Sequence, residues 1–436
     1  MRRLFCLLLA GWAFPAAAQP GSGPWNAVPL GDLRVGIADV DITPGPGVPL
    51  AGYSSRAGPS AGVHDRLRAT AVVFDDGQAR AAIVAVDLLN LRQADGEAIV
   101  AAIERAAKIP RSHVLLNASH THAAHSLGKS GQGRAELATK IAGAVARAVR
   151  SARPASLGYG EGTIDFNVNR RVIGPDGKAK AGLNPAGIVD RRVKVLRIDH
   201  GDAVSPAGVI MSAVCHPNVM RSQNRQISAD FVGLAKTFVE RNLGGKTMAM
   251  YLQGTTGDIR ANLPSLDPAD GFGRNGSEAD LVWAGHGLGG EVVGVATGLR
   301  VREKLLQRKQ HFAIRAAEDV LQVTPDPTKR PDGGKLALPI RALAVGDVLF
   351  VSLPGEPVVE YGLGIEKDLA PLGKTTFVLG YGAGDVGYIP VEHMIDEGGL
   401  EAAGPFWHGT ETAIRAGVKA MVLRMLGEQA TRAAGR

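Results

Sequence analysis

The chain holds only two cysteines in 436 residues, Cys6 and Cys215. Cys6 lies in the first apolar run, so its removal with a leader leaves Cys215 alone and excludes an intramolecular disulfide. Stability then falls to packing and to a metal. Aromatic residues are scarce, at 5%, and Lys and Arg form no long run. That combination excludes a nucleic-acid groove, which needs a basic stripe and stacking rings. Beyond the leader no stretch reaches the roughly 20 apolar residues of a membrane helix, so the mature protein is expected to be soluble. Gly128-Lys129-Ser130-Gly131-Gln132-Gly133 is glycine-rich but lacks the GxSxG register of a nucleophile elbow, which argues against a serine hydrolase.

What is present begins with an export signal. Met1-Arg2-Arg3 is followed by an apolar run from Leu4 to Phe14 and by Ala16-Ala17-Ala18, a basic, apolar and small-residue order that places cleavage after Ala18. Residues 1–18 are thus expected to be a signal peptide, and the protein to be exported, periplasmic or secreted. Loss of Arg2 and Arg3 lowers the formal charge of +7 to about +5, enough for weak attraction to an anionic membrane surface. The oligomeric state is not encoded in any local pattern.

Residues 19–32 are rich in Gly, Pro and Ser and read as an arm before the first strand, at Leu33 to Ala38. Thereafter one unit recurs: an apolar strand, a polar turn, a second apolar strand, and a break rich in polar residues, Pro or Gly. Ala69 to Phe74 and Ala81 to Val86 end at Asp87; Val193 to Ile198 and Gly208 to Val214 end at Cys215-His216-Pro217; Arg341 to Val345 and Val348 to Leu353 end at Pro354-Gly355-Glu356. Three hairpins therefore deliver Asp87, His216 and Glu356 at strand ends. Further strands are predicted at Val114 to Asn117, Thr247 to Leu252 and Thr376 to Leu379. Helical spacing predicts helices at Asp95 to Ala107, Gly133 to Ser151, Phe231 to Leu243, Gly289 to Gln307 and Pro357 to Leu369. The class is α/β, with layered mixed β-sheets flanked by helices. No linker interrupts residues 33–425, read as one catalytic domain; residues 426–436 form a tail, and the helical pattern after Val418 is expected to fray.

Three of the eleven histidines, His120, His122 and His125, fall within six residues after the strand ending at Asn117. Imidazoles at alternating positions after a strand suit one metal ligand and one partner, although loop histidines also cluster without function. His216, before Pro217, is biased toward an extended backbone and projects from its strand end. Glu356 reads equally as a ligand or as an acid complementing a helix N-terminus, and Tyr388 by itself reads as a packing aromatic. Two histidines and a carboxylate on separate strand ends match a catalytic zinc site with a position open for water.

The order of segments resembles the neutral/alkaline non-lysosomal ceramidase family. VGIADVDITPGPGVPLAGY and GVHDRLRATAVVF are similar to its start, and VAVDLL, ASHTH, NVNR, CHPN, SADFVGLA, LQGTTGD, SLPGEP and GDVGYIP follow in family order. The resemblance implies Zn2+ bound by His120, His216, Glu356 and Tyr388. It implies that His122 and Arg170 hydrogen-bond the scissile carbonyl and its oxyanion, with Asp87 or Asp258 as supports behind them. His122 is then the proton shuttle to the leaving amine. The implied activity is hydrolysis of an N-acyl amide by zinc-bound water, with ceramide or a related N-acyl lipid as substrate. An esterase or lactonase on the same metal, or a periplasmic binding protein of the same fold, are the alternatives.

Four features depart from the family. Arg260, in Gly257-Asp258-Ile259-Arg260-Ala261-Asn262, stands where a serine is common, which excludes a covalent serine mechanism there. Leu400 stands where a second tyrosine is expected near the reacting carbonyl. Ala123-Ala124-His125 replaces a glycine-rich stretch, and no β-sandwich domain follows before Arg436.

Overall fold

The computed structural model describes residues 33–127, 131, 133–201, 204–244, 246–263, 276–303 and 312–427. The leader, the arm and most of the tail lie outside these residues.

The repeated unit of the sequence is the architectural unit of the fold. Each hairpin forms as an antiparallel pair: Arg68–Asp75 with Arg80–Val86, Arg192–Asp199 with Gly208–Ala213, and Leu336–Val345 with Val348–Pro354. Each is followed later in the chain by one strand that returns parallel to the second arm of the hairpin. These returning strands are Val114–Ala118, Met248–Gln253 and Thr375–Gly382. The intervening crossovers carry the helices Gln93–Ala107, Asp230–Leu243 and Val359–Leu369, as a parallel connection requires. The result is three mixed sheets, of five, four and four strands, joined by a three-stranded sheet and two short two-stranded pairs.

The three main sheets face a common centre. One buried cluster contains Phe74, Ile83 and Leu115 of the first sheet, Ile198, Ile210 and Leu252 of the second, and Phe350, Phe377 and Leu379 of the third. Helices cover the outer faces: Gln93–Ala107 and Arg134–Ser151 cover the first, Asp230–Leu243 and Glu278–Glu303 the second, Val359–Leu369 and Thr410–Leu426 the third. Burial on both faces explains why these strands read as continuous apolar runs rather than alternating ones. At the centre, fully buried Asn117 bonds all three sheets. Its Nδ2 donates to the carbonyls of Gln253 and Gly380, and its Oδ1 accepts from the Gln253 amide.

Several boundaries differ from expectation. The helix expected from Gly289 spans Glu278–Glu303. Gly285 and Gly289 are close-approach positions rather than a start: a Cβ on Gly285 would fall 2.6 Å from Leu234 Cβ, and one on Gly289 would fall 2.9 Å from Phe238 Cβ. The chain after Val418 is docked rather than frayed through Leu426, because Val418, Met421 and Val422 are buried. The strands Ser156–Thr163, Asn167–Ile173 and Ala179–Asn184 escaped the pattern search, since glycine and polar residues interrupt them. Among the described residues no helix is long and apolar enough to cross a membrane.

Candidate metal centre

The loops after the carboxyl ends of strands from all three sheets meet at one place. Such strand ends are where α/β sheets collect ligands. Ser119 and His120 leave the strand Val114–Ala118. His120 adopts φ +66°, a left-handed backbone unusual for a residue with a Cβ, held because its amide donates to the Leu88 carbonyl at 2.9 Å. Its Nδ1–H donates to the Leu89 carbonyl at 2.7 Å, which turns Nε2 inward. His216 follows the strand Gly208–Ala213, and its Nδ1–H is shared by the carbonyls of Thr256 at 2.7 Å and Ile259 at 2.9 Å. Backbone acceptors on both rings fix the tautomer, as they do for metal-ligating histidines.

Glu356 closes the arrangement. A two-residue parallel pair aligns Glu356 with Tyr388 and Pro357 with Ile389. Glu356 Oε2 lies 3.2 Å from His120 Nε2 and 3.4 Å from His216 Nε2. Burial, then the Arg170 charge, push the His216 pKa down to about 4, so this imidazole is neutral at pH 7 and its Nε2 carries a lone pair. Burial alone would raise the Glu356 carboxyl, but His120 facing it holds it well below the usual carboxylate range. Both His216 Nε2 and Glu356 Oε2 are buried without a hydrogen-bond partner among the described residues. Electron pairs aimed at one point, from a neutral imidazole and a carboxylate, are an arrangement that a cation relieves and an apolar core does not tolerate. The residues therefore fit a divalent metal.

The ligand nitrogens of His120, His122 and His216 all lie within 4.8 Å of one another, a group able to hold a metal ion. His122 is thus closer to the centre than an outer carbonyl partner needs to be: its Nε2 is 3.2 Å from His120 Nε2. Its ring packs on Tyr53, with centroids 4.9 Å apart, and against the bare α-carbon of Gly52, where a Cβ would fall 2.5 Å from Nδ1. Burial, followed by the two neighbouring imidazoles, pushes the His122 pKa well below its ordinary value.

Arg170, on the strand Asn167–Ile173, reaches the same place. Its Nε donates to Glu401 Oε1 at 2.8 Å, its Nη2 donates to the Gly257 carbonyl, and its Cζ lies 5.2 Å from the Tyr388 ring centre. Burial pushes the Tyr388 phenol up to about 12 even though the Arg170 charge opposes it. Asp258 sits one layer behind. It accepts from Asn169 Nδ2 at 2.7 Å and from the Val359 amide at 2.8 Å, tying the strand of Arg170 to the helix that follows Glu356.

Asp87 stands elsewhere. Its carboxylate is spent on Lys236 Nζ, at 2.8 and 2.6 Å, and on the Arg68 amide. It acts on the centre only by anchoring the segment whose next two carbonyls, of Leu88 and Leu89, hold His120. Leu400 is 47% exposed, so its side chain does not take the inner place expected of it. The neighbouring Glu401 is the inward residue, bonded to both Arg170 and Arg171. Arg260 is buried on the strand Ile259–Ala261, and burial followed by the Arg221 charge lowers its pKa to about 10. Cys215 is buried with its thiol pushed up, which makes it inert. The sequence reading missed Tyr381, whose ring lies 4.2 Å from that of His120 and whose hydroxyl bonds Thr256 Oγ1. It also missed Glu401; a lone acid in a glycine-rich loop carries no local signal.

Residues 33–271, more than half of the chain, match the family model described as neutral/alkaline non-lysosomal ceramidase, N-terminal. The chain belongs to that family. It is 30% identical over 263 residues to a neutral ceramidase of Mycobacterium tuberculosis, covering 55% of this chain and 40% of that protein. With a neutral ceramidase of Pseudomonas aeruginosa it shares 28% identity over 296 residues, 62% of this chain and 41% of that protein. The matched segments thus span about two fifths of these ceramidases. The crystal structure of the Pseudomonas aeruginosa neutral ceramidase superposes with a TM-score of 0.74 at 18% identity, covering 94% of this chain and 76% of the other. That likeness establishes a ceramidase-type fold.

Proposed function

We propose that this member of the ceramidase family is a zinc-dependent amidohydrolase that cleaves the N-acyl bond of ceramide or a related N-acyl lipid. The observation that carries the reading is the His120–His216–Glu356 convergence, in which two imidazoles with backbone-fixed tautomers face one carboxylate oxygen. His120, His216, Glu356 and Tyr388 would hold the zinc, with His122 beside them; nitrogen and anionic oxygen donors suit that ion. Bound there, zinc supplies Lewis acidity, which polarises a carbonyl and makes water acidic near neutral pH.

The chain's own residues divide the remaining work. Arg170, oriented by Glu401 and the Gly257 carbonyl, keeps its charge beside Tyr388, where it stabilises negative charge developing on the carbonyl oxygen. His122, neutral at pH 7, accepts the proton of the attacking water and returns it to the departing nitrogen, so that the C–N bond breaks to a carboxylate and an amine. Asp258 holds the strand of Arg170 and the Glu356 segment in register. The sequence signal over residues 1–18 supports export, and the positive formal charge supports weak contact with an anionic lipid surface.

Elemental analysis of purified mature protein tests the reading, alongside hydrolysis of an N-acyl amide and of the ester with the same acyl chain. About one zinc per chain is expected, lost together with amide hydrolysis in His120→Ala and Glu356→Ala. No metal after zinc reconstitution would sink the assignment. Ester cleavage without amide cleavage would transfer it to an esterase.

A further inference from the structure

The three histidines of the centre are not held alike. The His120 and His216 rings each donate from Nδ1 to backbone carbonyls, which fixes their direction. His122 Nδ1 is buried without a hydrogen-bond partner among the described residues. Packing therefore sets the angle of this ring, against a wall made by the α-carbon of Gly52 and the ring of Tyr53. Residues 51–56 run through turns and bends with no helix or strand of their own. A wall built from such a segment is only as firm as its anchor.

Arg56 is that anchor. Its Nη1 donates to the Ala51 carbonyl at 2.8 Å, and its Nη2 donates to the His122 carbonyl at 2.7 Å and the Arg221 carbonyl at 3.3 Å. Its Cζ lies 5.4 Å from the centre of the Tyr53 ring. One planar guanidinium thus joins the residue before Gly52, the aromatic face of Tyr53 and the main chain of His122 itself. Other bonds fix only the backbone: the His122 amide donates to the Pro217 carbonyl at 3.0 Å, the Ala51 amide to the Ala124 carbonyl at 2.9 Å, and Thr121 Oγ1 to the Ser228 carbonyl at 2.7 Å. What Arg56 adds to these is a direct tie between the imidazole's backbone and the surface on which the imidazole rests.

We infer that Arg56 is a positioning residue for the hydrolysis proposed above: by clamping the Gly52–Tyr53 wall to the main chain of His122, it does for this ring what carbonyls at Nδ1 do for the other two. The inference rests on the reading of His122 as the proton shuttle. A shuttle has to stand within hydrogen-bond reach of the attacking water and of the departing nitrogen. A ring untethered at Nδ1 meets that demand only while its wall is fixed.

The test compares N-dodecanoyl sphingosine with 4-nitrophenyl dodecanoate, whose leaving group departs without being protonated, on zinc-loaded mature protein. Arg56→Met should lower kcat for the amide by about 10²-fold, with KM and zinc content held, and should lower the ester rate by at least about tenfold less. Arg56→Lys should resemble Arg56→Met, because an ammonium does not span the three carbonyls, and it carries the same comparison if Arg56→Met does not fold. Methylguanidine added to Arg56→Ala should restore part of the amide rate. Equal losses on the two substrates, a loss confined to KM, or no loss would each overturn the inference. A crystal structure of the same variant reads the clamp without turnover: the His122 ring is expected to leave its place while the His120 and His216 rings keep theirs, and an unmoved His122 ring overturns the inference. If the wild type cleaves the ester but not the amide, the amide-hydrolase reading fails, and the clamp stands or falls on the position of that ring.

Discussion

Arg170–Glu401 and Lys236–Asp87 are both buried ion pairs, and each involves a residue that the family resemblance assigns to the catalytic machinery, Arg170 at the carbonyl and Asp87 as a support. Arg170 Nε meets Glu401 Oε1 at 2.8 Å, and Lys236 Nζ meets Asp87 Oδ2 at 2.6 Å. One pair stands beside Tyr388 and the candidate metal centre; the other fastens a helix to a strand end behind it. Arg170 keeps planar donors for the Gly257 carbonyl and the region of Tyr388, whereas the Lys236 ammonium meets both Asp87 oxygens. On the proposed reading the first pair is a catalytic device, whereas the second, its charge absorbed by its partner, is a structural one.

The largest expected effect separates the two. Arg170→Met should lower kcat/KM by about 10²–10³-fold through loss of oxyanion stabilisation, read by steady-state kinetics on zinc-loaded protein. Arg170→Lys should recover little of it, because a point charge does not reproduce the fork that spans Glu401 and the Gly257 carbonyl. Asp87→Ala should instead cost about 3–5 kcal/mol of stability, from a lysine left buried and unpaired, read by urea unfolding. If Asp87→Ala unfolds no more readily than the wild type, the contrast between the pairs collapses.

A third prediction uses pH. Burial tends to raise the Glu401 carboxyl, but the Arg170 charge and the hydrogen bonds from Arg171 and Arg170 outweigh it, so its pKa lies below the ordinary 4.5. A lowered carboxylate pKa gives stability that is complete above the unfolded value and lost as pH falls through the folded one. Wild type should therefore lose stability on acidification below about pH 4.5 more steeply than Glu401→Gln, as followed by thermal unfolding from pH 6 to 3. The smallest effect belongs to Leu400→Ala. An exposed side chain should change stability by less than about 0.5 kcal/mol, and kcat should stay the same. A large loss of kcat would return Leu400 to the site.

The sequence made His120, His216 and Glu356 legible for a physical reason: each follows an apolar strand and is marked by a break such as Pro217 or Pro354-Gly355. What organises them was not legible. The carbonyls of Leu88 and Leu89 hold His120 through the backbone, and any residue type supplies a backbone carbonyl. Glu401 meets Arg170 across most of the chain, a pairing without local periodicity. Leu400 and Glu401 are adjacent, and alignment by spacing chose the residue that points outward. In the helix Glu278–Glu303, the expected start fell at Gly289, a glycine that instead permits close packing on Phe238.

Asn117 has a consequence for how the protein acquires its centre. Its carboxamide spans the first, second and third sheets, and His120, His216 and Glu356 descend from those same three sheets. No single hairpin-and-helix unit carries the full donor set, so the set exists only after the most distant parts of the chain have docked. Such long-range closure is the slow part of folding. A nascent chain with one or two units formed offers scattered imidazoles rather than a chelate, so on the proposed reading strong metal capture is postponed until the fold around Asn117 is complete.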